Sequence, residues 1–135
     1  AERFERMVRA LGGPPGCVAH PERWFPTAEV RHPVEAARAG VVQVRDVRAI
    51  GEAVVALGGG RHRPEDRIDP AVGLSDVVAD GERVGRGDVL AIVHARSIDD
   101  ALGAELALRG AIRICSEAPP ARPLLTWHAP FERAA

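Results

Sequence analysis

The sequence predicts an α+β domain, small, with short and mostly antiparallel strands and about three helices. Three observations lead there. Apolar residues recur at helical spacing in three stretches. Short β-branched runs are bounded by glycine, proline and aspartate turn signals. The chain of 135 residues, 46% hydrophobic and 27% charged, is long enough for one ordinary core and composed like a folded soluble protein.

Taken in order, Phe4, Met7, Val8 and Leu11 fall on one helical face, and Gly12-Gly13-Pro14-Pro15 ends that helix. Residues 16–26 read as a connection between two structural units, with Trp24 and Phe25 expected to pin it to the core. Thr27 to Val34 and Gly40 to Arg45 read as strands. Asp46 can N-cap a second helix with apolar positions Val47, Ile50, Val54 and Leu57, stopped by Gly58-Gly59-Gly60. A charged loop, Arg61 to Arg67, leads into Ile68-Asp69-Pro70-Ala71-Val72-Gly73. Val77 to Val93 holds short strands, and its turn signals at Asp80-Gly81 and Gly85-Arg86-Gly87-Asp88 suit hairpins. Val89 to Val93 is apolar throughout, as in a strand buried on both faces. Asp99 and Asp100 open a last helix with Ala101, Ala104, Leu108, Ala111, Ile112 and Cys115 on one side; Pro119-Pro120 ends it, and Leu124 to Trp127 suggests a final strand before the short tail Pro130 to Ala135.

Net charge is −1, which provides no electrostatic footprint for nucleic acid or an anionic membrane. No apolar run approaches the roughly 20 residues of a membrane span. All 18 basic residues are Arg, and Asn and Tyr are absent as well, a bias that a G/C-rich genome explains. The chemical consequence is firm: lysine Schiff bases, the P-loop lysine and lysine-linked biotin or lipoate are excluded. Two cysteines, Cys17 and Cys115, lack CxxC spacing, so a reducing cytoplasm is expected. The chain opens inside its first helix without an initiator Met, as expected of a piece cut from something longer.

The sharpest local signal is Gly58-Gly59-Gly60-Arg61-His62-Arg63. Backbone N–H groups and guanidinium suit phosphate, yet these glycines follow a helix and face its carbonyl end, the wrong pole for an anion. A hinge or lid fits better, since glycine frees the backbone. Five histidines, His20, His32, His62, His94 and His128, show no metal-ligand spacing, so no metal is expected. Asp66 and Asp69, like Asp99 and Asp100, sit where loops and caps favour acids, and Ser75, Ser97 and Ser116 lie in no G-x-S-x-G context. No self-contained active site is visible.

Gly81-Glu82-Arg83-Val84-Gly85-Arg86-Gly87-Asp88-Val89-Leu90-Ala91-Ile92 resembles the strands of biotinyl and lipoyl carrier domains, without the lysine that carries the swinging arm. A longer resemblance takes over at Ala53-Val54-Val55-Ala56-Leu57-Gly58-Gly59-Gly60-Arg61, Asp66, Ile68-Asp69, Val72-Gly73 and Leu90-Ala91-Ile92-Val93-His94-Ala95. These look like the signature of the C-terminal domain of pyrimidine nucleoside phosphorylases. Leu11-Gly12-Gly13-Pro14 and Pro26-Thr27-Ala28 are similar to the thymidine phosphorylase branch, as is Gly-Gly-Gly-Arg where broader relatives show Gly-Ala-Gly-Arg.

That resemblance implies an α/β-hammerhead, barrel-sandwich-like fold for residues 27–135, with residues 1–15 the last helix of a preceding phosphate-binding domain. It implies a parent enzyme, a homodimer in the cytoplasm, that cleaves thymidine or deoxyuridine with phosphate, its co-substrate, and needs no cofactor. The phosphate-binding and base-binding residues of the family precede this chain, so no catalytic or substrate-binding residue is expected within it, and the isolated chain is expected to be inactive. Its partner is then the N-terminal catalytic portion of the same enzyme. Residues 58–63 match the family's loop at the domain cleft, with Arg61 expected to make an interdomain hydrogen bond; the alternative is that Arg61 and Arg63 pair with Glu65, Asp66 or Asp69. A rival for the whole chain is a stand-alone binding module of biotinyl-like fold, and another is the same domain from a broader pyrimidine nucleoside phosphorylase. The first helix and Trp24-Phe25 are expected to expose apolar surface.

Overall fold

The computed structural model describes residues 2–117. Its elements are α1 (Glu2–Ala10), β1 (Val30–Glu35), β2 (Gly40–Val44), α2 (Val47–Val54), β3 (Gly73–Ser75), β4 (Arg83–Val84), β5 (Val89–Ala95), α3 (Ile98–Ala111) and β6 (Ile112–Cys115). The α+β expectation holds: two three-stranded sheets, β1-β5-β3 and β4-β2-β6, are antiparallel at every pairing. The suggested strand Leu124 to Trp127, Pro119-Pro120, His128 and the tail lie outside the described residues.

Local chemistry sets the helix ends. Asp46 Oδ1 accepts the Ala49 N–H at 2.9 Å and starts α2. Ser97 Oγ accepts the Asp100 N–H at 3.1 Å and donates to Asp100 Oδ2 at 2.7 Å, so the cap of α3 is Ser97, with Asp100 its reciprocal partner.

The core lies where α3 meets both sheets. Leu108, Val34, Val42, Ala91 and Val93 are buried together there, with Leu57 packed on the edge. In β5 the side chains of Ala91, Val93 and Ala95 are wholly buried, whereas Ile92 and His94 on the opposite face are half-buried. The strand is therefore not sealed on both faces; its outer face stays open beside β3.

Four further expectations are corrected. Ile112 and Cys115 leave the helix: after Gly110, Ile112 and Ile114 alternate toward the core and pair with Val44 and Val42 of β2. The turn at residues 85–88 does not make a hairpin, because β4 pairs with β2 and β5 with β1 and β3. That turn passes the chain between the sheets, held by Gly85 N–H to Asp88 Oδ2 at 2.7 Å and Gly87 N–H to the Ala36 carbonyl at 2.8 Å. The first strand starts at Val30 instead of Thr27. Trp24 and Phe25 do not anchor to the core: they are 50% and 58% exposed, as are Met7 of α1 and Leu11 just after it, at 51% and 81%. The expected apolar exposure of this segment is thus present. Phe4, Val8, Cys17, Val18 and Phe25 instead line an apolar hollow of about 520 Å³ between α1 and the connection.

One polar knot ties sheet to helix. His32 Nε2 meets Glu105 Oε2 at 2.6 Å, Arg109 Nε donates to Glu105 Oε1 at 2.7 Å, and Arg109 Nη1 reaches the Glu35 carbonyl at 3.1 Å. The His32 contact first, then Arg109, holds the Glu105 carboxyl below its usual value. A depressed folded-state value means that the contribution is present above the unfolded carboxylate range, near about pH 4.3, and is lost as pH falls through the folded value. Urea unfolding of wild type and Glu105→Gln is expected to show a stability gap at neutral pH that closes on acidification; a pH-independent gap would contradict the assignment.

Candidate functional site

The loop after α2 is built by three glycines with separate reasons to be glycine. Past Val54 the helix widens through a π-type turn, Val55–Gly59, and breaks at Gly58, whose φ is 95°. That left-handed conformation suits a residue without Cβ. A Cβ on Gly59 would sit 2.9 Å from Val54 Cγ1 and 3.3 Å from the Val72 carbonyl oxygen, and one on Gly60 would sit 2.7 Å from Val55 Cγ2. Close packing therefore fixes two of the three.

The root of the loop is clamped. The Gly58 carbonyl accepts the Asp69 N–H at 2.9 Å. Asp69 is held in turn by a two-pronged contact from Arg96, at 2.6 and 2.8 Å, and accepts the Ala71 N–H at 3.0 Å. These contacts, Arg96 first, hold the Asp69 carboxyl below its ordinary value and raise the Arg96 guanidinium above its own. Arg96 follows β5, so the loop root is tied to the central strand of its sheet.

The tip is ordered by Asp66, whose Oδ2 accepts the His62 and Arg63 N–H groups at 3.0 and 2.8 Å. The two N–H donors best placed for an anion are taken by this carboxylate. Arg61, His62 and Arg63 are exposed. Among the described residues, neither Arg61 nor Arg63 pairs with a carboxylate: Asp66 serves the backbone and Asp69 serves Arg96. The in-loop pairing considered for them is not formed, and the two guanidinium groups remain available to a neighbour.

A second polar group was not legible from spacing. On the outer face of the β1-β5-β3 sheet, Ser75 Oγ lies 2.9 Å from His94 Nε2 and 3.3 Å from Asp76 Oδ2. The hydroxyl can donate to the Asp76 carboxylate, and the tautomer of His94 decides which partner donates in the shorter contact. Ser75 and His94 line an open groove of about 470 Å³ with Thr27, Arg31 and Val72. Among the described residues no group of three His, Cys, Asp or Glu side chains is placed to hold a metal ion, and no helix is long and apolar enough to cross a membrane.

Comparison with known proteins places this arrangement. The model of the pyrimidine nucleoside phosphorylase C-terminal domain matches residues 41–115, from β2 to the end of β6. The chain belongs to the pyrimidine nucleoside phosphorylase family as its C-terminal domain. The matched span contains the glycine loop, its clamp and both polar partners of Ser75. The thymidine phosphorylase of Burkholderia cenocepacia is 51% identical over 122 residues, which is 89% of this chain and 28% of that protein. The thymidine phosphorylase of Agrobacterium fabrum is 43% identical over 118 residues, 87% of this chain and 27% of that protein. This chain thus spans little more than a quarter of the relatives it matches. β1 precedes the matched span, yet its pairing with β5 and the burial of Val34 make it part of the same core.

Proposed function

We propose that this chain is the C-terminal domain of a thymidine phosphorylase and serves as a wall of its catalytic cleft. In the proposed reaction a phosphate oxygen attacks C1′ of thymidine or deoxyuridine as the bond from C1′ to the base nitrogen breaks. The base leaves with the bonding pair and takes up the proton that the attacking hydrogen phosphate gives up, and 2-deoxy-α-D-ribose 1-phosphate forms with inversion. The observation that carries the reading is 51% identity to a thymidine phosphorylase over 89% of a chain that contains no lysine. The groups that bind phosphate and base then belong to an N-terminal catalytic portion, and the parent works as a cytoplasmic homodimer without a cofactor.

Within this proposal the domain buttresses the phosphate-binding domain, and the loop carrying Gly58, Gly59, Gly60, Arg61, His62 and Arg63 helps close the cleft. A clamped root, an Asp66-ordered tip, and Arg61 and Arg63 without a carboxylate partner among the described residues support that role. The exposed face of α1 supports assigning residues 1–15 to the preceding domain, with residues 16–26 as the connection and 27–135 as the C-terminal domain.

The test is phosphate-dependent release of thymine from thymidine by the purified chain, alone and mixed with the remaining portion of the Burkholderia relative. No activity alone and activity on mixing is expected. Activity of the chain alone would overturn the proposal. In the mixture, Arg61→Ala is expected to lower turnover by about tenfold to a hundredfold through misplacement of the cleft wall, while the unfolding midpoint of the chain stays put. Unchanged turnover and substrate affinity would remove the closing role.

A further inference from the structure

Residues 58–69 form a loop that leaves and re-enters the domain at one point. Its neck is the hydrogen bond from the Asp69 N–H to the Gly58 carbonyl, 2.9 Å, the arrangement of an Ω-loop. Among the described residues, His62, Arg63 and Asp66 make their hydrogen bonds within the loop. The direction in which the tip points is therefore set at the neck. Gly58 alone does not set it, because a glycine at φ 95° has little intrinsic preference for that conformation over others. A group outside the loop has to hold the Gly58 carbonyl where it stands.

Arg96 is placed to do so. Antiparallel pairing of Gly73 with His94 runs the residues before β3 back past Ala95, which brings Asp69 beside Arg96. The Arg96 backbone is held on both sides, by β5, paired to β1 and β3, and by Ser97, the N-cap of α3. Its guanidinium grips both carboxylate oxygens of Asp69, and Oδ1 also accepts the Ala71 N–H at 3.0 Å. Asp69 cannot turn without giving up three hydrogen bonds. The Arg96 and Asp69 side chains are 46% and 27% exposed, and pairs this open to solvent contribute little to global stability. What a two-pronged contact between residues 27 positions apart does contribute is geometry. We infer that Arg96 and Asp69 are positioning residues: acting through the Asp69 N–H on the Gly58 carbonyl, they aim the loop that carries Arg61 toward the cleft. The inference rests on the reading of that loop as part of the cleft wall.

Two readouts test it, one of them independent of the reaction. In the purified chain, amide exchange at Asp69 is expected to quicken about fivefold in Arg96→Gln, with the unfolding midpoint unmoved. In the mixture with the remaining portion of the Burkholderia relative, Arg96→Gln and Asp69→Asn are each expected to lower kcat about tenfold, with KM for thymidine and for phosphate unchanged. Asp69→Asn keeps an oxygen for the Ala71 N–H and loses the grip of Arg96. Because the two residues act as one device, the double variant is expected to lose no more than either single one. Arg96→Lys, which keeps the charge but not the two-pronged grip, is expected to fall between wild type and Arg96→Gln. Unchanged exchange at Asp69, or losses that multiply in the double variant, would overturn the inference. So would a turnover that falls in Arg61→Ala and holds in Arg96→Gln. If exchange quickens and turnover holds in both variants, it is the reading of the loop as cleft wall that fails, and the inference falls with it.

Discussion

Gly40→Ala is expected to destabilise the domain by about 2–3 kcal/mol, lowering the urea midpoint without changing the slope of the transition. Gly40 begins β2, the central strand of its sheet, where it pairs with Val84 on one side while the next residue, Val41, pairs with Cys115 on the other. A Cβ there would fall well inside contact distance of the Cys115 carbonyl oxygen and 2.6 Å from Ile114 Cγ2. One obstacle is backbone and the other belongs to a buried β-branched side chain with little rotamer freedom. Neither can swing aside, so relief requires β6 to move away from β2. Gly51→Ala is the control of opposite sign. Its Cβ meets nothing within 4 Å in α2, and alanine there is expected to add about 0.5–1 kcal/mol. If both variants shift stability in the same direction, the account of Gly40 by close approach is wrong.

The contrast shows which features a sequence exposes. Asp46 as a cap, the positions of α1 and α2, and the start of β2 depend on neighbours a few residues away, and periodicity reveals them. Strand partnership does not. The turn at residues 85–88 has a hairpin composition, but Val84 pairs with Gly40 and is buried there, and the two strands part into different sheets. Ile112 to Cys115 fits helical and strand periods equally well, and pairing with residues 41–44, about seventy positions earlier, decides the matter. Trp24 and Phe25 have the size of core anchors, yet among the described residues they stay outside the core cluster and half-exposed.

The candidate loop divides in the same way. Its glycines and arginines are plain in sequence, and they carried the family resemblance that the comparisons bear out. The reasons for the glycines are less plain, since Gly59 answers to Val54 and Val72, and Gly60 to Val55. The clamp between Asp69 and Arg96 and the contact of Ser75 with His94 join residues 27 and 19 positions apart, distances at which spacing carries no signal.

Leu108→Ala is expected to cost more than any surface change, about 2–5 kcal/mol, or a fall of roughly 10–20 °C in the melting temperature. Leu108 is fully buried and is the largest such side chain in the structure. It joins α3 to residues of both sheets, with Val34, Ala91 and Val93 from one and Val42 and Ile114 from the other in the same cluster. Its loss removes apolar contacts and leaves a cavity whose walls are wholly buried strand residues that cannot collapse inward without breaking their ladders. Leu57, the residue before Gly58, packs on the same cluster, so the loosening reaches the root of the loop. Two readouts then separate scaffold from function in the reconstituted enzyme. Well below the melting temperature the clamp of Asp69 by Arg96 still fixes the loop, and turnover per folded molecule is expected to match wild type. Near the new midpoint, activity is expected to fall in step with the unfolded fraction. A loss of turnover at low temperature, with the fold intact, would mean that the core sets the loop position directly, and that Leu108 belongs with Arg61 among the residues that position the cleft wall.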